Sequence, residues 1–159
     1  MIRHFTATAI VIDSRKRVLL LWHKRLGRWM PPGGHVDANE LPEDAARREC
    51  KEETGLDIEL ASDHQPNVFE TSDHEGRLLR KPYLLLLEHI PASPERGEPF
   101  HQHMDFVYLA RPLCEEQALQ CEQTEAEDLR WFTWNDISEM DENTEIFANV
   151  KKTLKIVLT

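Results

Sequence analysis

Three glutamates near the end of a predicted helix are the residues of this sequence best suited to chemistry: Glu49, Glu52 and Glu53. At about 100° per residue, their side chains fall on one arc of the helix surface. A helix C-terminus already carries roughly half a negative charge, and carboxylates four positions apart repel each other by about 0.2–0.5 kcal/mol. Because both effects are unfavourable, we expect a bound cation to compensate the charges. The sequence therefore predicts a metal site.

The helix that carries these glutamates is predicted to begin at Pro42 and to end before Gly55. Proline suits the first helical position because its missing N–H would have no partner there. Glycine suits the position just past the end because it adopts the left-handed conformation readily. Ala45 and Ala46 lie on the same side as the glutamates, and we expect these small side chains to leave space for a ligand.

A solvated surface is the alternative role for this acidic helix. Arg48 and Glu52 form a favourable pair four positions apart, as on any exposed helix face. The preceding loop favours a site instead, because Gly33 and Gly34 allow the backbone to approach a ligand closely. Glu40 then follows before the helix begins. Carboxylate and carbonyl oxygens are hard ligands, which select Mg²⁺ or Mn²⁺ rather than zinc.

The stretch from Gly34 to Leu56 resembles the signature of the Nudix hydrolases, Gly-x5-Glu-x7-Arg-Glu-U-x-Glu-Glu-x-Gly-U, in which U is a bulky apolar residue. Every fixed position of the signature is matched. Cys50 is a mild choice at the first apolar position, and Asp37 and Asn39 replace commoner residues at variable positions. The resemblance implies an α/β protein with the Nudix fold, an α/β/α sandwich with a mixed β-sheet between helices.

The resemblance also implies a reaction, the attack of water on one phosphorus of a nucleoside diphosphate linked to another group. Magnesium, or manganese as a substitute, would neutralise charge on the diphosphate and lower the pKa of the water. Arg48 would orient the carboxylates, and Glu40 would support the loop or a second ion. The implied metal ligands are the Gly34 carbonyl and the carboxylates of Glu49, Glu52 and Glu53, with Glu49 also the favoured base.

A further metal-binding glutamate is expected on a loop ahead of a strand that carries a tryptophan, as in many members of this family. Glu125, which precedes Trp131, fits this position best. Glu122 and Glu127 are the alternatives, and most acids of this segment are expected to be solvated side chains.

Candidate substrate contacts lie outside the signature. Arg25 and Arg28, with Lys24 beside them, could meet the negative charge of a phosphorylated substrate. Phe69 or Trp29 could stack on a base, with core packing as the alternative for Phe69.

A second cluster is the pattern His101-x-His103-x-Asp105. Alternate residues of a strand share one face, so the three side chains could converge. They would then line the substrate pocket or help to ligate a metal. The alternative is a polar strand entrance satisfied by hydrogen bonds. The pattern resembles some Nudix subgroups without identifying a substrate, and we expect His4, His23 and His35 to be surface residues rather than ligands.

Composition predicts one small intracellular domain. The chain has 159 residues, which suits a single domain over 1–159 with a substantial core. Its 3 cysteines have no zinc-like spacing, which favours free thiols and the cytoplasm, and no signal peptide or membrane segment is evident. A net charge of −10 opposes binding to an extended nucleic acid. We therefore expect a small nucleotide-like diphosphate as the partner.

The remaining elements follow from hydrophobic patterning. Residues 6–12 and 17–22 are predicted to form a hairpin through a polar turn at 13–16. Residues 83–89 are predicted to form a strand covered on both faces, since nearly all of them are apolar. The other predictions are strands at 57–61, 104–110 and 129–134, a loop or irregular hairpin at 63–80, a turn-rich connection at 91–99 and a closing amphipathic helix at 146–158.

Two other functions are weighed against hydrolysis. A catalytically silent Nudix-type ligand-binding protein would be expected to lose a signature glutamate or to carry a DNA-binding segment, and neither is seen. An isomerase of isoprenoid diphosphates would need a cysteine acid in its pocket, and Cys50 is predicted on the helix face turned from the glutamates. The substrate stays open, since Thr71 stands where the ADP-ribose group tends to place proline. Nucleoside triphosphates, damaged nucleotides, dinucleoside polyphosphates and capped RNA ends are the remaining classes.

Overall fold

The computed structural model describes residues 1–61, 65 and 76–159. Phe69, Thr71 and most of the loop predicted at 63–80 lie outside the described residues. The described strands are β1 Arg3–Val11, β2 Val18–His23, β3 Arg28–Met30, β4 Gly33–His35, β5 Ile58–Leu60, β6 Leu84–Ile90, β7 His101–Pro112 and β8 Ala126–Phe132. The helices are α1 Pro42–Thr54, α2 Trp134–Glu139 and α3 Ala148–Leu158, with a 3₁₀ turn at Pro94–Arg96.

The larger sheet is mixed and contains β1, β4, β5, β6 and β7. β1 runs parallel to β7 in the register that pairs His4 with His103 and Thr6 with Asp105. β4 pairs with the other edge of β1, whereas β5 and β6 pair with different ends of β7. The parallel pair therefore brings side chains from the two halves of the chain onto one surface.

The smaller sheet is antiparallel and has the order β3-β2-β8. The predicted turn between β1 and β2 exists, because the Asp13 N–H donates to the Arg17 carbonyl at 2.9 Å and Ile12 bridges Val18. The predicted hairpin is nevertheless wrong, because beyond that turn β1 and β2 enter different sheets. The physical reason is that β2 is buried at four successive positions, so each of its faces needs its own cover.

The acidic helix is α1, and it ends at Gly55 in the left-handed conformation with φ 76°, as the sequence predicted. Ala45, Ala46 and Cys50 are fully buried on its inner face against the larger sheet. The expectation that the two alanines leave space for a ligand is wrong. Their small side chains allow α1 to pack close to β1 and β4 instead.

The opposite side of the larger sheet packs against α2, α3 and the smaller sheet. Leu154 of α3 and Ile137 of α2 are fully buried there with Ile10 and Val107. The closing helix is confirmed with its start at Ala148, and so is the predicted α/β/α arrangement around a mixed sheet. Across residues 1–61, 65 and 76–159, none of the helices has the length and apolar character needed to cross a membrane.

The prediction that the strand at 83–89 is covered on both faces is wrong. Leu84 and Leu86 of β6 pack in the core, but Leu85 and Leu87 are 63% and 54% exposed. Successive side chains of a strand point to opposite faces, and the described residues cover only one face of β6.

The turn between β1 and β2 depends on one buried carboxylate, which gives a test of stability. Asp13 is 6% exposed and accepts hydrogen bonds from the backbone and the side chain of Arg17 at 2.8 Å each. Asp13→Ala leaves these donors unpaired, so we expect a loss of about 1–3 kcal/mol in the free energy of unfolding. Urea denaturation measures this loss. Glu116→Ala, at an exposed acid, is the control, and an equal loss in both variants would contradict the assignment.

Candidate active site

The innermost carboxylate of α1 is that of Glu53, which is only 6% exposed. The backbone N–H of Gly33, at the start of β4, donates to its Oε2 at 2.9 Å. Burial raises the pKa of Glu53 to about 8, because the charges of Glu49, Glu125 and Glu122 add to the desolvation and outweigh the Gly33 hydrogen bond. A second charge beside this carboxylate is therefore strongly unfavourable without a cation.

Glu49 lies directly against the backbone of Gly34. A Cβ atom at position 34 would lie 2.5 Å from the carboxylate carbon of Glu49, so any other residue there would displace this carboxylate. A Cβ at Gly33 would likewise meet the Ala7 carbonyl oxygen at 2.6 Å. Burial raises the pKa of Glu49, although its hydrogen bond to Arg48 acts in the opposite direction. The strand backbone at these two glycines thus contacts the carboxylates of Glu49 and Glu53.

Arg48 connects the outer acids of the cluster. Its guanidinium donates to both carboxylate oxygens of Glu40 at 2.8 Å, to Glu49 at 2.8 Å and to Glu52 at 3.2 Å. It also donates to the His35 carbonyl at 3.0 Å, which ties α1 to the end of β4. These carboxylates raise the pKa of Arg48, and the Arg48 hydrogen bonds lower the pKa of Glu40. Glu40 therefore positions Arg48 from the loop before the helix.

The candidate acids at 122–125 lie on the turn that precedes β8 in the chain. In space, this turn lies beside the end of α1 and the end of β2. The carboxylate of Glu122 caps this turn by accepting from the N–H groups of Thr124 and Glu125 at 2.8 and 3.2 Å. The Lys24 N–H at the end of β2 donates to the Glu125 carbonyl at 2.9 Å, which fixes the turn beside the smaller sheet. The Glu125 side chain is left exposed, and its charge raises the pKa of both Glu49 and Glu53.

Four imidazoles gather where β1, β4 and β7 meet: His4, His35, His101 and His103. The rings of His4 and His103 lie 5.0 and 5.1 Å from that of His101. His35 Nε2 lies 3.3 Å from His4 Nδ1, and the His101 Nδ1–H donates to the Pro99 carbonyl at 2.9 Å. Burial and the neighbouring imidazoles lower the pKa of His103 to about 4.

Comparison with known proteins decides the family. The NUDIX domain profile matches residues 2–153 of this chain. The chain belongs to the Nudix family. A crystal structure of a NUDIX-family hydrolase from Clostridium perfringens is similar over 99% of this chain and 97% of its own, with a TM-score of 0.73 and 27% identity. The Nudix fold predicted from the signature is therefore confirmed.

Curated relatives match over shorter stretches. An "RNA pyrophosphohydrolase" of Marinomonas sp. (strain MWYL1) is 45% identical over 49 residues, which are 30% of this chain and 30% of that protein. A "Probable DHNTP pyrophosphohydrolase" of Lactococcus lactis subsp. cremoris (strain MG1363) is 30% identical over 122 residues, 77% of this chain and 57% of that protein. This Nudix chain therefore matches less than two thirds of the length of either relative.

The carboxylate cluster of this Nudix protein has the donor set that magnesium requires. Its oxygens are hard ligands, and glycine backbone closes one side of the cluster. Arg48 pairs with Glu40, Glu49 and Glu52, but within residues 1–61, 65 and 76–159 Glu53 forms no ion pair. The residues present therefore fit a divalent cation beside Glu53.

Of the predicted substrate contacts, Arg28 and Trp29 are engaged within the fold, whereas Arg25 is exposed. Arg28 binds the carbonyls of Gly27, Asn143 and Thr144, so its guanidinium holds the segment before α3 rather than pointing free for substrate. Trp29 is 8% exposed within the core, which argues against stacking on a base. Arg25 is exposed, and its positive charge reaches the imidazole cluster, where it lowers the pKa of His35 and His103.

Asp105 and His103 share a strand face but differ in their partners. Asp105 is 5% exposed and accepts hydrogen bonds from the hydroxyls of Thr6 and Thr8 at 2.9 Å. Burial raises its pKa, and these contacts match the alternative of a satisfied polar strand entrance. The buried Nε2 of His103 has no hydrogen-bond partner in the described part of the chain.

Two contributions to this Nudix site were not predicted from the sequence. His4 and His35 are surface residues, as expected, but it was not predicted that the register of β1 with β7 and β4 brings both beside His103. The Gly33 N–H was not predicted as a donor to Glu53. Alternating polar residues at 4, 6 and 8 were the available signal for β1, but parallel pairing leaves no mark in sequence.

The raised pKa of Glu53 predicts how stability depends on pH in chelator-treated protein. A pKa of about 8 in the folded state lies above the ordinary value of about 4.3, so the folded protein loses stability as pH rises between them. Glu53→Gln keeps an acceptor for the Gly33 N–H but removes the charge. At pH 8 we expect the free energy of unfolding of this variant to exceed that of the parent by about 2–4 kcal/mol more than it does at pH 4.5.

Urea denaturation of both proteins at the two pH values measures this difference. Glu52→Gln is the matched control, since Glu52 lies on the same helix with its side chain 58% exposed. A difference between Glu53→Gln and the parent that does not change with pH would disprove the buried ionisation.

Proposed function

We propose that this Nudix protein hydrolyses a pyrophosphate bond in a nucleoside diphosphate linked to another group, with Mg²⁺ as the cofactor and Mn²⁺ as a possible substitute. The observation that carries the proposal is the contact of Glu49 and Glu53 with the Gly34 and Gly33 backbone. Buried, mutually repelling carboxylates are unfavourable for stability, so they are best explained by a function that needs their charge.

In the carboxylate cluster, some residues would bind the cation, one would also accept a proton, and Arg48 would position the others. Glu53 and Glu52, with the Gly34 carbonyl, would hold the cation, which supplies charge neutralisation of the diphosphate and acidifies water when bound. Glu49 would hold the cation as well and accept the proton of the attacking water, because its burial raises its pKa toward that of a base. Arg48 would fix Glu49 and Glu52 through the hydrogen bonds described above, so it acts by positioning.

Glu125 is proposed as the further acidic ligand. Its side chain is exposed and its charge acts on Glu49 and Glu53, whereas the carboxylate of Glu122 is occupied in capping the turn. Glu127 is exposed on β8, and its charge is not among the largest causes of the raised pKa of these two glutamates. Among the three candidates, Glu125 is therefore best placed to meet a cation held by Glu49 and Glu53.

The substrate is proposed to be a small nucleotide-like diphosphate. Both curated relatives carry the name pyrophosphohydrolase, and a net charge of −10 disfavours an extended nucleic acid. Arg25 would contact the substrate, since its exposed positive charge suits a phosphate group. We also propose a single-domain cytoplasmic protein, which the free thiols of Cys50, Cys114 and Cys121 support.

The carboxylates give the direct test of the proposed activity. We expect Glu53→Gln and Glu52→Gln each to lower Mg²⁺-dependent release of phosphate or pyrophosphate by about a hundredfold or more, with the fold unchanged by circular dichroism. A panel of nucleoside triphosphates, dinucleoside polyphosphates and nucleotide sugars, assayed with Mg²⁺ and with chelator, gives the rate. Glu127→Gln, at an exposed acid of β8, is the control. Unchanged turnover in both helix variants would refute the assignment.

Glu125→Gln and Glu122→Gln form a matched pair for the downstream ligand. If Glu125 binds the cation, its variant should require about tenfold more Mg²⁺ for half-maximal activity. The Glu122 variant should keep the Mg²⁺ requirement but lose thermal stability, because the cap of the turn at 122–125 is weakened. The reverse pattern would assign the ligand to Glu122.

A further inference from the structure

The imidazole cluster has a different chemistry from the carboxylate cluster. Nitrogen atoms of His4, His101 and His103 all lie within 4.8 Å of one another. We propose that these three histidines form a second metal site, which binds a divalent transition ion of the zinc class. The site does not depend on the proposed hydrolysis, because none of its ligands belongs to α1.

The hydrogen bonds around the cluster determine which ring nitrogens are available to a metal. A carbonyl oxygen can only accept, so the Pro99 carbonyl fixes the hydrogen of His101 on Nδ1 and leaves its Nε2 free to bind a metal. If His4 donates its Nδ1–H to His35 Nε2, the Nε2 of His4 is free in the same way. Outer hydrogen bonds of this kind orient the histidine ligands of metal sites generally.

His103 supplies the independent sign of a ligand. Its Nε2 is buried and has no hydrogen-bond partner in the described part of the chain. A buried polar atom without a partner is unfavourable by about 1–3 kcal/mol, so such atoms need an explanation. A metal ion between His103, His4 and His101 would satisfy this atom.

The dimensions and the donor type favour zinc over magnesium. Zinc–nitrogen bonds of about 2.0–2.1 Å place tetrahedral ligands about 3.4 Å apart, so small rotations of the rings would close the cluster. Imidazole suits zinc, copper, nickel and iron, whereas magnesium prefers oxygen ligands. Three protein ligands leave a fourth position for water or another small ligand.

Binding at this site would connect two strands that are distant in sequence. His4 lies on β1, and His101 and His103 lie at the beginning of β7, directly beside β1 in the parallel pair. An ion that binds only the folded state stabilises it by an amount that grows with the logarithm of the ion concentration above the dissociation constant. The site therefore predicts a zinc-dependent rise in the melting temperature.

Calorimetric titration of the full chain with Zn²⁺ tests the proposal. The protein is first stripped with chelator and then kept in excess Mg²⁺, so that the carboxylates are occupied. We expect one equivalent of zinc in the parent protein, and binding about tenfold or more weaker in His4→Gln and in His103→Gln. The melting temperature should rise with zinc in the parent and stay nearly constant in these two variants.

Two control variants separate this site from other zinc binding. His89→Gln changes an exposed histidine on β6, on the face of the larger sheet opposite to the three histidines, and should keep full affinity for zinc. Glu53→Gln changes the carboxylate cluster and should also keep full affinity for zinc. Loss of hydrolysis and loss of zinc binding are thereby distinguished. If His103→Gln fails to fold, His4→Gln on the first strand gives the same test. The proposal is overturned if parent protein binds no zinc, or if the His4 or His103 variant, when folded, binds it as tightly as the parent.

Discussion

The close approach of α1 to β4 is the constraint on which the site depends. Glu49 can lie against the backbone of this strand because Gly34 has no side chain there, while the Gly33 N–H donates to Glu53. The approach also requires small residues on the inner face of α1, where Ala45 and Ala46 are fully buried against the sheet. A larger residue at Gly34 would displace the Glu49 carboxylate, and one at Ala45 or Ala46 would push the helix away from the sheet.

Electrostatics explains why this arrangement is held by an arginine rather than by packing alone. Arg48 neutralises the outer acids and anchors to the loop through Glu40, but among the described residues the innermost carboxylate, that of Glu53, receives a hydrogen bond only from a backbone N–H. The negative charges are therefore compensated well at the rim of the cluster and poorly in its interior. A divalent cation complements this gradient, because the least compensated carboxylate lies deepest.

β1 relates the two clusters of potential ligands. Ala7 faces α1 and the carboxylates, while His4 and Thr6 face the imidazoles and Asp105 on the other side of the same sheet. β4 adds Gly34 to one cluster and His35 to the other in the same way. The alternation of side chains along two adjacent strands thus separates oxygen donors from nitrogen donors by the thickness of one sheet.

The sequence by itself determined the acidic helix, both of its ends and the family, because these depend on local propensity and on a contiguous signature. Most of the other strands were also recognised from their apolar patterns, and α2 was missed because six residues show too little periodicity. Only the tertiary structure decided that β1 and β2 enter different sheets, that Ala45 and Ala46 are core residues, and that Arg28 holds a neighbouring segment. It also decided the gathering of His4, His35 and His103, since the parallel register of β1 and β7 joins residues about a hundred positions apart, and nothing local encodes such a pairing.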